Sequence, residues 1–274
     1  GHGWQNMMII TGDELKRLIP IYEMQGIVES LTEAVLRGNV KGWAYVDNPA
    51  CPSVALVLHA HAGGAFWLGA EPGPEDAANF VKTLLAYRSD REFCTWIEFG
   101  NCPESMARLI LKRVPEACRS GRLCLRHEKA AFESAPKPTP KPDIRIVLYR
   151  EGDEIPEEIR MESLLFWDNE AGVVHDSAAV AAWDGQGQLR GICITAALAQ
   201  RFWEIDISTD SEHRQQGIGY AMSYAYIAEC LERGCIPRWN CRRENTASYN
   251  LALKLGFRPA NSYELITWDS RDTQ

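Results

Sequence analysis

The sequence predicts a mixed α+β protein built as two domains. Short segments with strand-like alternation and longer segments with helical spacing of apolar residues follow one another along the chain. The 274 residues, 46% of them hydrophobic, suit one large core or two smaller ones, and a typical domain of about 150 residues favours two. A proline-rich run near the middle of the chain provides a boundary between them.

This boundary is the segment 135–142, which reads Ala-Pro-Lys-Pro-Thr-Pro-Lys-Pro. Proline at every second position excludes both a helix and a central strand, because proline has a fixed φ and no N–H donor. We expect an interdomain linker, with an N-terminal α/β domain at 1–134 and a second domain at 143–274. A long surface loop within one domain is the alternative.

The N-terminal half shows a regular succession of predicted elements. It begins with two strands that resemble a hairpin, continues with a third strand, and then alternates helix and strand. The predicted strands are 41–46, 53–61, 65–68, 95–99 and 122–126, and the predicted helices are 75–87 and 103–114.

The C-terminal half shows a similar order. An Asp-Gly pair at 184–185 lies between two apolar runs and predicts a hairpin turn. The predicted strands are 143–149, 178–183, 189–195, 202–208, 237–241 and 263–268, and the predicted helical segments are 156–166, 218–233 and the one that follows Asn245.

The segment Arg214-Gln215-Gln216-Gly217-Ile218-Gly219 lies where a predicted strand ends and a long predicted helix begins. Glycines at such a junction let backbone N–H groups converge on an anion, and the helix N-terminus adds partial positive charge. A pyrophosphate suits this site, although the same glycines also suit an ordinary turn. The third glycine of a dinucleotide fingerprint is replaced by Met222, and no Gly-Lys-Ser/Thr run of a nucleotide P-loop is present.

The glycine segment resembles the Arg/Gln-x-x-Gly-x-Gly/Ala loop of the GCN5-related N-acetyltransferases (GNAT superfamily). A second motif of that superfamily follows at the customary distance, as Asn245-Thr-Ala-Ser and then a helix that closes with Lys-Leu-Gly-Phe at 254–257. The resemblance covers about residues 144–268 and implies a mixed, mostly antiparallel central sheet with helices on both faces. The two-part layout looks like the zwittermicin-resistance type of acetyltransferase.

The resemblance implies that the second domain binds acetyl-CoA as a cosubstrate. The loop amides should bind the pyrophosphate, the main chain of the preceding strand should pair with the pantetheine, and the second motif should contact the thioester end. For Asn245 an N-cap role is the alternative. Arg242 and Arg243 either reach the adenosine phosphate or are simply solvated. The implied cofactor-binding residues are Ile207, Thr209, Arg214, Gln215, Gln216, Gly217, Ile218, Gly219, Asn245 and Ser248.

Acyl transfer in this superfamily is direct, from the thioester to an amine, and it needs a base. Glu204 and Asp206 alternate onto one face of the strand before the loop, and two neighbouring carboxylates can raise the pKa of one of them. They are the candidate catalytic residues, with Glu204 preferred, and two solvated strand residues are the alternative. The tyrosine that commonly protonates the thiolate is replaced by Ala252, and Tyr249 lies one helical turn away. Trp167 and Trp203 either line an acceptor pocket or belong to the core.

The N-terminal half repeats the element order without the glycine loop. The corresponding segment 69–76 contains two prolines, which lack N–H donors, and three acidic residues, which repel phosphate. This predicts a degenerate GNAT-like copy that has lost cofactor binding. An unrelated α+β substrate or dimerisation domain is the alternative.

Charge and cysteine content limit the partners. The net charge of −8 and the absence of a long basic run argue against nucleic acid, and no stretch of 18 apolar residues predicts a membrane span. Nine cysteines without a Cys-x-x-Cys pair favour a reducing, cytoplasmic location. Two imidazoles at His59 and His61 lack a third ligand, so we expect no metal. A homodimer is left open.

Together these features predict an acyl-CoA-dependent N-acyltransferase, with acetyl-CoA as donor and the amine of a small, cationic molecule as acceptor. Polyamines and amine-bearing antibiotics are examples of such acceptors. The alternative is an acyl-CoA-binding regulatory module without turnover, which the absence of the tyrosine favours.

Overall fold

A computed structural model describes residues 8–209 and 217–273. The chain forms two compact units, one comprising residues 1–122 and 262–274 and the other residues 123–261. This division differs from the predicted domains 1–134 and 143–274, because the proline-rich segment 135–142 lies inside the second unit.

The first unit contains a mixed sheet in the order β1-β2-β3-β4-β5-β12. Neighbouring strands are antiparallel except β4 and β5, which are parallel. Its strands are β1 (Met8–Thr11), β2 (Gly42–Val46), β3 (Ala55–His59), β4 (Gly64–Leu68), β5 (Trp96–Gly100) and the end of β12 (Phe257–Asp269), and its helices are α1 (Ile19–Gln25), α2 (Ser30–Leu36), α3 (Pro74–Ala86) and α4 (Glu104–Arg113), with 3-10 turns at Gly12–Leu18 and Ser270–Thr273.

The second unit contains strands in the equivalent order β7-β8-β9-β10-β11-β6. Here β10 and β11 form the parallel pair, and β7 to β10 are antiparallel. Its strands are the end of β6 (Cys118–His127), β7 (Arg145–Tyr149), β8 (Ala179–Trp183), β9 (Leu189–Ala199), β10 (Phe202–Thr209) and β11 (Ile236–Arg242), and its helices are α5 (Lys129–Glu133), α6 (Glu157–Ser163), α7 (Gly172–Asp176), α8 (Ile218–Glu232) and α9 (Thr246–Lys254).

The final strand of each unit comes from the other half of the sequence. Strand β6 follows α4 along the chain, but from Leu123 onward it belongs to the second unit, where it lies beside β11. Strand β12 follows α9, but its end, Leu265–Asp269, pairs with β5 of the first unit. This exchange explains why the units do not divide at the prolines.

Helices cover both faces of the second unit's sheet. On one face, α8 packs Met222 and Tyr226 against Trp203 of β10. On the other face, α6 and α7 bury Ile159 and Val173 against β8 and β9. The predicted arrangement of a mixed sheet between helices is therefore confirmed.

Most predicted elements are present, with ends that differ by a few residues. No element was predicted for residues 8–37, where β1, a 3-10 turn, α1 and α2 occur, nor for α5 and α7. These helices have five to seven residues each, which is too short to establish a helical period. Among the described helices, none has the length and apolar character needed to cross a membrane.

Candidate functional site

The parallel strands β10 and β11 pair over only a short distance. Phe202 to Glu204 pair with Ile236 to Arg238, and the register of β10 against β9 shifts between Glu204 and Ile205. Beyond this point β10 continues to Thr209 in register with β9. Ile207 and Thr209 therefore lie on a stretch of β10 that extends past its pairing with β11, where an extended ligand can pair with the strand edge.

Helix α8 begins beside the end of this strand. Gly217 is its N-cap, with φ of +75°, and a Cβ built at this position meets no atom of the described part of the chain within 4 Å. The N–H groups of the first helical residues, Ile218 and Gly219, have no acceptor inside the helix. They provide donors for an anion, while the Ile218 side chain is buried in the core. Arg214, Gln215 and Gln216 lie outside the described residues.

The start of α9 is held by side chains of the second motif. Asn245 is the N-cap, and its Oδ1 accepts the Ser248 N–H at 3.1 Å. The indole Nε1 of Trp239, on β11, donates to Ser248 Oγ at 3.0 Å. The N-cap role that was the alternative for Asn245 is therefore present, and Ser248 fixes the helix start to β11.

One face of β10 carries two carboxyl groups, and a third approaches it from α6. Trp203 and Ile205 face α8, so the alternate residues Glu204 and Asp206 face the opposite side. Glu204 is only 8% exposed and Asp206 is half-buried. Glu162, which was not predicted, extends from α6 and hydrogen-bonds to the Asp206 carboxyl.

Burial is the main influence on the pKa of Glu162 and on that of the nearby Cys193. Desolvation raises the pKa of Glu162, and the hydrogen bond with Asp206 offsets part of that rise. Burial likewise raises the pKa of the Cys193 thiol on β9, and the charge of Asp206 raises it further. No sequence pattern distinguishes Glu162, because α6 is remote from β10 along the chain and contains other glutamates.

The position of the missing tyrosine is closed to solvent. Ala252 on α9 is 0% exposed and belongs to the core of the second unit. Tyr249 is half-buried and packs against the same core.

The two tryptophans considered for an acceptor pocket, Trp167 and Trp203, are both buried. Trp203 packs on Tyr226 and beneath Arg233, and Trp167 donates its indole N–H to the Thr195 carbonyl at 2.7 Å.

The described residues contain no group of three His, Cys, Asp or Glu side chains arranged to hold a metal. Nδ1 of His59 accepts the backbone N–H groups of His61 and Ala62, at 3.1 and 3.0 Å. Nδ1 of His61 contacts Asp90 Oδ1 at 2.7 Å. The pair thus contributes to the local structure of the first unit. The nine cysteines are all free thiols.

Residues 180–266 match the sequence model of the family described as GNAT acetyltransferase. Over 241 residues the chain is 24% identical to the uncharacterized N-acetyltransferase YdfB of Bacillus subtilis, covering 85% of this chain and 87% of that protein. The matched region contains β10, α8, β11 and α9, which form the site described above.

Solved structures share the fold over nearly the whole chain. A GCN5-related N-acetyltransferase-like protein from Streptococcus suis superposes with a TM-score of 0.68 at 19% identity, covering 93% of this chain and 98% of that one. An N-acetyltransferase from Sphaerobacter thermophilus gives 0.62 at 12% identity over 97% and 96%. A tandem GNAT protein of the clavulanic acid pathway gives 0.55 at 13% identity over 96% and 98%. Residues 180–266 thus match the GNAT acetyltransferase family, and the chain is similar in fold to solved GNAT proteins over nearly its whole length.

Proposed function

We propose that the second unit transfers an acyl group, most simply acetyl, from acyl-CoA to the amine of a small cationic molecule. The observation that carries this proposal is that the pairing of β10 with β11 ends at Glu204, while β10 continues alone on that side to Thr209 and the next described element is the helix start at Gly217. An open strand edge and a helix N-terminus in succession suit a ligand with an amide-containing arm and a pyrophosphate.

The described residues fit such a ligand. Among the described residues the space beside Gly217 is open, because none of their atoms lies within 4 Å of the position that a Cβ would take. Acetyl-CoA would supply an activated acyl group as its thioester. The residues proposed to hold it are the main chain of Ile207 and Thr209, the loop residues Arg214, Gln215, Gln216, Gly217, Ile218 and Gly219, and Asn245 and Ser248 on the next helix.

The carboxyl groups beside the strand gap provide the chemistry for the acceptor. A primary amine is protonated at neutral pH and must lose a proton before it can attack. Glu204 is buried at the point where the strands part, so we assign it as the base. Asp206 lies two residues further along the same face, where its charge favours a cationic acceptor. Polyamines and amine-bearing antibiotics have this chemistry, and the resemblance to zwittermicin-resistance enzymes stays a prediction.

A second candidate is an acyl-CoA-binding regulatory module without turnover. Burial of Ala252 favours it, because the position where many relatives carry an acid offers only a methyl group to the core. If the protein does transfer an acyl group, the thiolate of CoA must leave without help from a protein acid or take its proton from water.

Two measurements separate these functions. Acetyl-CoA should raise the melting temperature under both, and the absence of any shift would contradict both. Release of free thiol from acetyl-CoA in the presence of a panel of diamines, polyamines and aminoglycosides identifies the enzyme. Binding without thiol release across the panel would favour the regulatory module.

A further inference from the structure

The proline-rich segment belongs to the second unit and is held against helix α8. The phenol of Tyr220, in the first turn of α8, donates a hydrogen bond to the Pro136 carbonyl oxygen at 2.5 Å. Before the segment, the ring of Phe132 packs on that of Tyr224, with the ring centres 4.7 Å apart. After the segment, Ile144 is buried in the core of the same unit. The segment is therefore fixed at both ends and at Pro136.

The contact with Tyr220 brings Pro136 to the end of α8 that begins at Gly217. Tyr220 is three residues beyond Gly217, which is about 4.5 Å along the axis of an α-helix. Side chains of a helix lean towards its N-terminus, so the Tyr220 hydroxyl lies nearer the helix start than its own Cα does. The next residue of the segment, Lys137, is therefore at the end of the helix whose N–H donors are proposed to bind the pyrophosphate.

The Lys137 ammonium is available to a ligand. Lys137 is exposed, and no ion pair joins it to a carboxylate of residues 8–209 or 217–273. By contrast, the ammonium of Lys129, on the helix just before the segment, lies 3.9 Å from the Glu133 carboxylate. Proline on either side of Lys137 restricts the local backbone, so less conformational entropy is lost when this side chain holds a ligand.

A cation at this place suits the charge of the proposed ligand. Acyl-CoA carries a pyrophosphate and a further phosphate on the ribose, all at its nucleotide end. The whole chain has a net charge of −8, so its overall field does not attract such an anion. The N–H groups of a helix start carry only partial positive charge. A lysine ammonium beside them adds a full positive charge where the phosphates are proposed to lie.

We propose that Lys137 binds a phosphate group at the nucleotide end of acyl-CoA, and that Tyr220 positions it through Pro136. The inference rests on the proposed function, which places acyl-CoA at the start of α8, and it adds a binding residue from outside both sequence motifs. Lys141 provides an internal comparison, because it is exposed and also has proline on both sides. It lies at the other end of the segment, where its carbonyl accepts the Ile144 N–H at 2.9 Å.

Calorimetric titration with CoA at low salt tests the role of Lys137. Lys137→Ala should weaken binding about tenfold, the size of one charge-assisted hydrogen bond, and Lys137→Arg should keep most of the affinity. Lys141→Ala is the matched control and should leave the affinity unchanged. Equal affinity of the wild type and Lys137→Ala would overturn the proposal, and so would equal losses in the two alanine variants.

A second ligand identifies the phosphate that Lys137 contacts. In 3′-dephospho-CoA the pyrophosphate is present and the ribose phosphate is absent. If Lys137→Ala weakens the binding of both ligands, Lys137 contacts the pyrophosphate. If it weakens the binding of CoA alone, Lys137 contacts the ribose phosphate. Either result supports the proposal.

The positioning role of Tyr220 has its own test. Tyr220→Phe removes the hydrogen bond to Pro136 and keeps the ring, so it should weaken CoA binding about threefold when Lys137 is present and have no effect in Lys137→Ala. The same loss in both backgrounds would refute positioning through Lys137. A wild type that binds no CoA would count against the proposed function, whereas wild-type binding that does not depend on Lys137 would count against this inference alone.

Discussion

Glu204 and Phe66 occupy the same register position in the two units. Each is the last residue of its strand to pair in parallel with the next strand, Glu204 opposite Arg238 and Phe66 opposite Gly100. Both side chains are buried, at 8% and 1% exposure. Because the shared fold tolerates an aromatic ring here, the carboxylate in the second unit is not required by the strand, and a chemical role is the simpler explanation.

The first prediction concerns this carboxylate. Glu204→Gln should lower the rate constant for acetyl transfer by at least about 100-fold, since a positioned base contributes a factor of about 10² to 10⁴. Affinity for acetyl-CoA, measured by calorimetry, should stay within about twofold. Glu158→Gln, an exposed glutamate on α6, is the control and should be fully active. Full activity of Glu204→Gln would remove the base assignment.

The second prediction concerns the helix start at Gly217. Gly217→Asp places a negative charge where the pyrophosphate is proposed to bind, and it should weaken acetyl-CoA binding at least 100-fold in calorimetry. Gly234, after the other end of α8, has nearly the same φ, +74° against +75°, and a Cβ at either site lies more than 4 Å from every atom of residues 8–209 and 217–273 outside its immediate neighbours. Gly234→Asp therefore has a matched backbone cost and should bind normally. Equal losses in both variants would indicate a general structural effect.

The third prediction separates two roles of Asn245. Asn245→Ala removes the N-cap of α9 and should lower the free energy of unfolding by about 1 kcal/mol without ligand. Asn245→Ser restores a capping oxygen and should recover most of that stability in urea unfolding. If Asn245 also contacts the pantetheine, acetyl-CoA affinity stays reduced in the serine variant. If Asn245→Ser recovers both the stability and the affinity for acetyl-CoA, then Asn245 acts only as the N-cap of α9.

The fourth prediction follows from the burial of Glu162. Its pKa is raised in the folded protein, so the folded state binds this proton more tightly than the unfolded chain. The stabilising contribution is then complete below the unfolded pKa of about 4.3 and is lost as the pH rises through the folded value. The stability of the wild type relative to Glu162→Gln should therefore fall from pH 4 towards pH 7 in urea unfolding. An increase over that range would contradict the assigned direction.

The fifth prediction follows from the exchanged strands. A fragment of residues 143–274 does not contain β6, which lies beside β11 in the whole chain. It also lacks β5, the strand with which the end of β12 pairs. It should fail to unfold cooperatively in circular dichroism melts, because unpaired strand edges and apolar faces are left exposed. Expression together with residues 1–142 should restore a cooperative transition and acetyl-CoA binding. A fragment 143–274 that folds and binds alone would contradict the prediction.

The sequence by itself determined the site's framework. Alternation, helical spacing and turn residues act over a few positions, so β10, the helix start at Gly217, β11 and α9 were all predicted from local pattern. The two motifs at 214–219 and 245–257 then indicated the family, because their spacing combines two independent local features.

Only the tertiary structure decided which distant segments meet. The exchange of β6 and β12, the approach of Glu162 to Asp206, and the contact of Glu71 with Ser105 all join residues that lie far apart in sequence or whose side chains resemble many others. Such contacts depend on which strand edge is free and which helix face is apolar once the cores have formed. The sequence pattern specifies each element, while packing and pairing of the completed elements specify their partners.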